Sequence, residues 1–290
     1  MSSPSPRRIW LCADDYGISP GVNRAIRDLI ERGRLNATSV MMVGAAIDAS
    51  EIDALEVVAR GSACCAIGLH VTLTAPFRPL GTHFRPLEGD MFLPFPKLLR
   101  AALTRRLNRE ILRTEVTAQL AAFADQFGRA PDFVDGHQHV QLYPQIRDAF
   151  VEAVHESAPK AWVRQGGRHY GGRDLPLVRR LASRKLASPK ALVLDLLSAQ
   201  FRRRAAKADL AFNPCFAGAY DFTRDADFGA LMQQFIEGLP EDGLIMCHPG
   251  FVDDILRSLD PMTDVREREH AFLASQAFPL LLSENNVTLQ

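Results

Sequence analysis

Two adjacent carboxylates, Asp14 and Asp15, close the apolar run Ile9–Ala13 and are followed by Tyr16 and Gly17. Further along, His70, the pair His137 and His139, and His248 each stand where another short apolar run ends. A single histidine in such a place is ordinarily structural. Four of them with a carboxylate pair describe a site, provided the run ends converge. Two imidazoles and one carboxylate make a ligand set with open positions, suited to zinc, iron or another first-row divalent ion and less naturally to magnesium. The second carboxylate of an adjacent pair cannot share the cation in the same geometry, so it reads as a base acting on water. His137-Gln138-His139 puts both imidazoles on one side if the backbone stays extended, so both can face the site, with a place behind a ligand or a substrate contact open for one of them. His248, before Pro249-Gly250, reads as a proton donor. Arg164 and Arg168 flank another run end, where a substrate contact and a solvent-facing role are equally open.

The surrounding pattern supplies the elements that must hold these residues. Ile9–Gly17 reads as a strand, and Ser19-Pro20 then opens an amphipathic helix, Gly21–Arg32, stopped by Gly33. Further strands are expected at Ala37–Val43, Ala66–Leu73, Ala161–Val163, Leu210–Phe212 and Leu244–Cys247, with a last one at Val287–Leu289, and Phe133–Val140 reads as a short strand running into a His-rich turn. Helical stretches alternate with them: Ala45–Arg60, Lys97–Phe127 broken near Asn108, Pro144–Ser157, two more up to Lys207, Ala226–Glu237 and Arg266–Ala274. Alternating strands and helices imply a parallel sheet with helical crossovers. No G-x-G-x-x-G turn follows the first strand, and the element count favours an α/β fold of the (β/α)-barrel type over an open sheet. In a barrel the C-terminal strand ends gather on one face, which is where the candidate residues fall. The segment from Thr74 to about Pro96, with five prolines and four phenylalanines, reads as a long functional loop.

Composition narrows the functional classes. The 290 residues are 47% hydrophobic and carry 34 basic against 34 acidic side chains, so no electrostatic case exists for a nucleic-acid or acidic-membrane partner. The Arg202–Arg204 run lies on a helical pattern and reads as a solvated face. Five cysteines without metal-type pairing fit a reduced, cytoplasmic setting, and no apolar run approaches the roughly 18 residues of a membrane span. Residues 1–7 read as a disordered leader. Nothing marks a domain boundary, so a single domain over 1–290 is expected. His83, His155, His169 and His270 read as surface or packing residues.

Taken together, Ala13-Asp14-Asp15-Tyr16-Gly17, Ile67-Gly68-Leu69-His70, Asp135-Gly136-His137-Gln138-His139 and Cys247-His248-Pro249-Gly250 resemble, in order and spacing, the YdjC-like (ChbG/HpnK) family of carbohydrate deacetylases. The resemblance runs from about Ile9 to Phe251. It implies a single distorted TIM-like barrel with about seven parallel strands and hydrolysis of the acetamide of an N-acetylated amino sugar. It also implies one divalent cation, Mg2+ or Zn2+, held by Asp15, His70 and His137, with Asp14 as base and His248 as acid. His139 and Arg164 would then be substrate contacts. Many relatives carry a histidine where this chain has Gln141, and some where it has Gln138, so the sugar contacts are expected to differ. The loop at 74–96 and the segment Gln165–Lys207 are where substrate choice is expected to be decided. Two rival readings are a metal-dependent hydrolase of another amide, ester or phosphoester, and a sugar-binding barrel without catalysis. A homodimer is compatible with the sequence, which leaves the oligomeric state, the native metal and the sugar open.

Overall fold

The computed structural model describes residues 5–62, 65–168, 189–222 and 226–289. Its main sheet is built on β1 (Arg7–Tyr16), flanked by β2 (Ala37–Val40) on one side and β9 (Leu244–Cys247) on the other. Beyond β2 lie β3 (Ala66–Val71), β6 (Phe133–Gly136) and β7 (Trp162–Val163); beyond β9 lies β8 (Phe216–Ala217). All these pairs are parallel. β10 (Val287–Leu289) adds to the start of β1, also in parallel. The two ends of the sheet approach each other, because Phe212 bridges to Val163 of β7 just before the chain enters β8. The result is a distorted (β/α) barrel of seven parallel strands, closed by one short bridge.

Local chemistry explains the element boundaries. In α1 (Pro20–Glu31) the Ser19 hydroxyl accepts from the Val22 amide, Pro20 takes the first turn, and Val22, Ala25, Ile26, Leu29 and Ile30 form the buried stripe. The break expected near Asn108 is a cap. Asn108 Oδ1 accepts from the Glu110 and Ile111 amides and starts α4 (Arg109–Phe127), separating it from α3 (Phe95–Leu103). Gly128, in the left-handed region at φ 64°, ends α4. α2 (Ala49–Gly61) starts at the Asp48 cap, four residues later than the apolar pattern indicates. α5 (Ile146–Ser157) follows two residues after Pro144.

Several expectations shift. Leu210–Phe212 contributes only the Phe212 bridge, and the sixth strand is β8, four residues on. Arg7, expected in the leader, instead begins β1 and pairs with Val287. The proline-rich segment is not one open loop: β4 (Leu87–Glu88) and β5 (Met91–Phe92) form a hairpin, and Phe84 and Phe92 bury edge to face at 4.9 Å. His169 and the first of the two helical stretches expected after Arg173 lie outside the described residues. α6 (Pro189–Lys207), α7 (Phe228–Ile236), α8 (Asp254–Leu259), α9 (Asp264–Ala274) and α10 (Ala277–Glu284) complete the helical layer.

Side chains alternate across each strand, so one set points out to the helices and the other into the barrel. The inward set forms a small separate core of Cys12, Ala37, Ala66, Phe133, Phe216, Leu244 and Met246, with Trp10 and Trp162 packed against it. Two residues further along each strand the alternation returns Asp14, Ser39, Asp135, Arg164 and His248 to the same face, and His70 follows Gly68 in the same way. The barrel interior is apolar at its base and ionisable at its C-terminal end.

Candidate metal centre and active site

Asp14 and Asp15 are neighbours, so an undisturbed strand would send them to opposite faces. The chain avoids this with an extra residue. The β1–β2 register slips between Ala13 and Tyr16, and Asp15 sits at φ 70°, a left-handed conformation that Asp tolerates better than most residues. Gly17, at φ 98°, continues the turn, and its amide donates to the Asn23 carboxamide at 2.6 Å. Both carboxylates thereby reach the barrel mouth, Asp14 by strand parity and Asp15 by the bulge.

Asp15 Oδ1 lies 3.0 Å from His137 Nδ1 and 3.3 Å from His70 Nε2. These three side chains form a compact group whose candidate donor atoms all lie within 4.8 Å of one another. The far side of His70 is fixed by Asp135, whose Oδ1 is 2.6 Å from Nδ1, and by the Ser39 hydroxyl at 3.0 Å. A carboxylate behind an imidazole orients the ring and raises its basicity. Burial alone would lower the His70 pKa, but Asp135 and the site's other carboxylates outweigh it and push it up to about 10. For Asp15, burial pulls the pKa up, and Arg266 and His137 more than reverse this, holding the carboxyl well below the usual range.

Asp14 is engaged differently. Its two oxygens accept a forked pair of bonds from Arg164, at 2.6 and 2.7 Å, and the same guanidinium reaches Asp135 Oδ2 at 3.1 Å. Burial raises the Asp14 pKa less than the Arg164 charge, with His70, lowers it, so the carboxyl stays ionised well below its ordinary range. His248 Nε2 stands 3.9 Å from Asp14 Oδ2. The His248 ring meets Phe222 edge-on at 5.3 Å, and its backbone amide donates to Glu269.

These residues floor a cavity of about 390 Å³. Phe77, from the proline-rich segment, meets His137 edge-on at 6.0 Å and forms one wall. The stretch Leu259–Met262 forms another.

The donor set suits a divalent cation on charge as well as on type. Four ion-paired carboxylates (Asp14, Asp15, Asp135 and Asp260) face two guanidinium groups (Arg164 and Arg266), leaving two negative charges if His70 is neutral. Without a cation, a proton on His70 offsets one of them.

A family model described as YdjC-like protein matches residues 8–284. The chain belongs to the YdjC-like family. Among its relatives are the chitooligosaccharide deacetylase of Citrobacter koseri, 26% identical over 87% of this chain and 84% of that one, and a human carbohydrate deacetylase, 31% identical over 53% and 47% respectively. Among solved structures, one from Enterococcus faecalis V583, named provisionally as a cellobiose-phosphate cleavage protein, superposes with a TM-score of 0.71 over 99% of this chain and 97% of that one, at 21% identity. At that identity the likeness speaks for the barrel fold.

Asp14, Asp15, His70, His137, His139 and His248 all line the one cavity. His139 arrives by a route other than the one expected. The chain turns at Gly136 into a 3-10 segment, His137–Leu142, in which Gln138 and His139 have φ 54° and 57°, so strand alternation does not relate the two histidines. His139 packs edge-on against Phe216 at 5.3 Å, outside the Asp15–His70–His137 group. Burial and the Arg164 charge push its pKa down to about 3, so its ring is neutral. Arg164 is a correction. Strand parity turns it into the barrel, where it is 1% exposed and lies beneath Asp14 instead of facing substrate or solvent. Arg168 pairs with Asp195 at 3.6 Å. His83 and His155 are exposed, and His270 meets Asp28 at 3.0 Å, in keeping with surface and packing roles.

The sequence pattern assigns no role to Asp135, Ser39, Arg266, Glu269 or Asp260. For Asp135 a signal exists: a carboxylate inside a buried strand needs a cation or donor facing it. Arg266 and Glu269 sit in Arg266-Glu267-Arg268-Glu269, which reads as a solvated helix, yet both are fully buried.

Proposed function

We propose that this YdjC-like protein is a metal-dependent carbohydrate deacetylase that hydrolyses the acetamide of an N-acetylated amino sugar, with Asp15, His70 and His137 holding one divalent cation. The observation that carries the reading is the convergence of Asp15 Oδ1 on one nitrogen of each histidine at the cavity floor, with Asp14 and His248 beside it. The names of relatives that cover most of the chain support the acetamide as the bond cleaved. When bound, a cation in that position supplies Lewis-acid polarisation of a carbonyl and acidifies water.

The chain's own groups supply the proton movements. Asp14 takes the proton of the attacking water. Its fork with Arg164 makes it a weak base in the resting site but fixes the direction of its oxygens, and geometry is the first requirement of a general base. His248, close to the far oxygen of Asp14, donates to the departing nitrogen, because an amine leaves poorly without a proton. His139, held neutral, contributes a hydrogen-bonding edge to the sugar without adding charge. The apolar side chains of Phe77, Leu259, Pro261 and Met262 on the walls exclude water around the reacting bond.

One domain spans the family match. The buried thiols Cys12 and Cys247 fit the reduced, cytoplasmic setting read from composition, and among the described residues no helix is long and apolar enough to cross a membrane.

The test combines metal analysis with acetate release from N-acetylated sugars of different length and anchor, run beside a panel of simple esters and phosphoesters. Asp15→Ala and His70→Ala are expected to lose metal and turnover together, whereas Asp14→Asn keeps the metal and loses turnover. Near-normal turnover in Asp14→Asn removes the base assignment, and ester or phosphoester cleavage without acetate release from any sugar removes the substrate class.

A further inference from the structure

Arg266 on α9 is fully buried, and it makes contact with both the cation-ligand group and the cavity wall. Its Nη2 donates to Asp15 Oδ2 at 2.6 Å and to Asp260 Oδ2 at 2.5 Å, while Nε donates to the Met262 carbonyl at 3.1 Å. Asp15 thus divides its oxygens: Oδ1 faces His70 and His137, and Oδ2 is occupied by a guanidinium. One turn further along α9, Glu269 accepts from the His248 amide and the Tyr220 hydroxyl, and the Gly250 amide donates to the Arg266 carbonyl. The helix is therefore fastened to the strand end that carries His248 as well as to the bulge that carries Asp15.

We infer that Arg266 is a positioning residue that reserves Oδ2 of Asp15, so that a single oxygen of this carboxylate is offered to the cation, and that Asp260 sets how strongly it does so. This rests on the cation reading of Asp15, His70 and His137 given above. The physical argument is one of competition. A fixed positive charge on Asp15 Oδ2 repels a dication at Oδ1 and denies it the second oxygen, and both effects lower affinity while keeping a coordination position open for substrate. Asp260 draws on the same Nη2. The Asp260 carboxylate shares the guanidinium with Asp15, and an uncharged side chain in its place leaves the whole charge to Asp15. Arg266 touches no reacting atom; it acts through Asp15.

This arrangement makes two substitutions move cation affinity in opposite directions. Arg266→Met removes the competing charge and frees Oδ2, so the dissociation constant for Zn2+ or Mn2+ is expected to fall by roughly tenfold or more, given the size of charge interactions at such range. Asp260→Asn keeps the shape of the wall and commits Arg266 to Asp15, so the constant is expected to rise by a comparable factor. A residue that merely props the fold would weaken binding in both variants or change neither.

The experiment is titration of the metal-stripped full-length protein with Zn2+ and with Mn2+ against a chromophoric chelator, for wild type, Arg266→Met, Asp260→Asn and Asp15→Asn, with circular dichroism to check folding. Tighter binding in Arg266→Met and weaker binding in Asp260→Asn support the inference. If Arg266→Met does not fold without metal, Asp260→Asn decides alone, and unchanged or tighter binding there overturns the inference. Should wild type bind either ion no better than Asp15→Asn, the cation reading itself falls and this inference falls with it. Wild-type binding that needs Asp15 but is indifferent to Arg266 and Asp260 overturns the inference alone.

Discussion

Replacing Arg164 by methionine tests how the barrel carries its buried charge. The substitution keeps length and removes the fork, leaving Asp14 at 2% exposure and Asp135 at 0% without their shared guanidinium. Breaking a buried pair by removing one partner costs about 3–5 kcal/mol, mainly because the remaining charge stays desolvated. A chain of this length unfolds with an entropy of about 0.6 kcal/mol per kelvin, at roughly 2.1 cal/mol/K per residue, so the expected fall in Tm is about 5–8 °C. The pH dependence separates this mechanism from simple loss of packing. In wild type the folded-state pKa of Asp14 is depressed, so its contribution is present above the unfolded carboxylate value of about 3.9 and is lost as pH falls through the lower folded value. In Arg164→Met the largest opposing charge is gone, His70 and His248 offset burial only in part, and the folded pKa rises. The variant then binds a proton more readily folded than unfolded, and gains stability as pH falls from that raised value towards about 3.9. The difference in Tm between the two proteins is therefore largest near pH 8 and shrinks towards pH 5. Calorimetry or circular-dichroism melts at pH 8, 7, 6 and 5 measure it, with Arg164→Lys, which keeps the charge but loses the fork, falling between. A difference under about 2 °C, or one constant across that range, refutes the account of a paired, desolvated Asp14.

Two other substitutions probe the scaffold. In Gly68→Ala the new Cβ lies 2.5–2.6 Å from the Phe133 ring, which is itself stacked on Trp162 at 4.5 Å and has no free direction to move; overpacking of this kind costs about 1–3 kcal/mol. Urea unfolding should show that loss, with weaker cation binding because His70 lies two residues along the same strand, and a wild-type midpoint would mean that the lumen has slack. Glu115 accepts from the Leu80 and Gly81 amides and so ties the proline-rich segment to α4. Glu115→Ala should raise KM several-fold, with a smaller change in kcat, by loosening the segment that carries Phe77 to the wall; steady-state kinetics on the best substrate of the screen decides it, and an unchanged KM removes that segment from substrate binding.

The alternation of elements, the residues at the strand ends and the order of the motifs are all legible in the sequence, because a parallel barrel writes its strands as short apolar runs and puts its polar groups where they stop. The expectation for Arg164 fails for an identifiable reason. It leaves substrate and solvent as the two options for Arg164, whereas parity along the strand turns it into the barrel interior: Arg164 stands two residues after inward-facing Trp162, as Asp135 does after Phe133 and His248 after Met246. That period, carried through each run, gathers Asp14, Asp135 and Arg164 into one buried cluster on residue spacing alone. Asp15 obeys no such period, because the bulge that aims it depends on a backbone conformation that no residue pattern in β1 announces. The sites of Arg266 and Glu269 are hidden in another way. Four alternating charges on a C-terminal helix carry no mark of burial, and what buries two of them is the separate arrival of β1 and β9 against the same helix turn. Contacts that span most of the chain's length, such as Asp15 with Arg266, are set by the pairing of β1 with β9. That pairing therefore decides which carboxylate Arg266 meets.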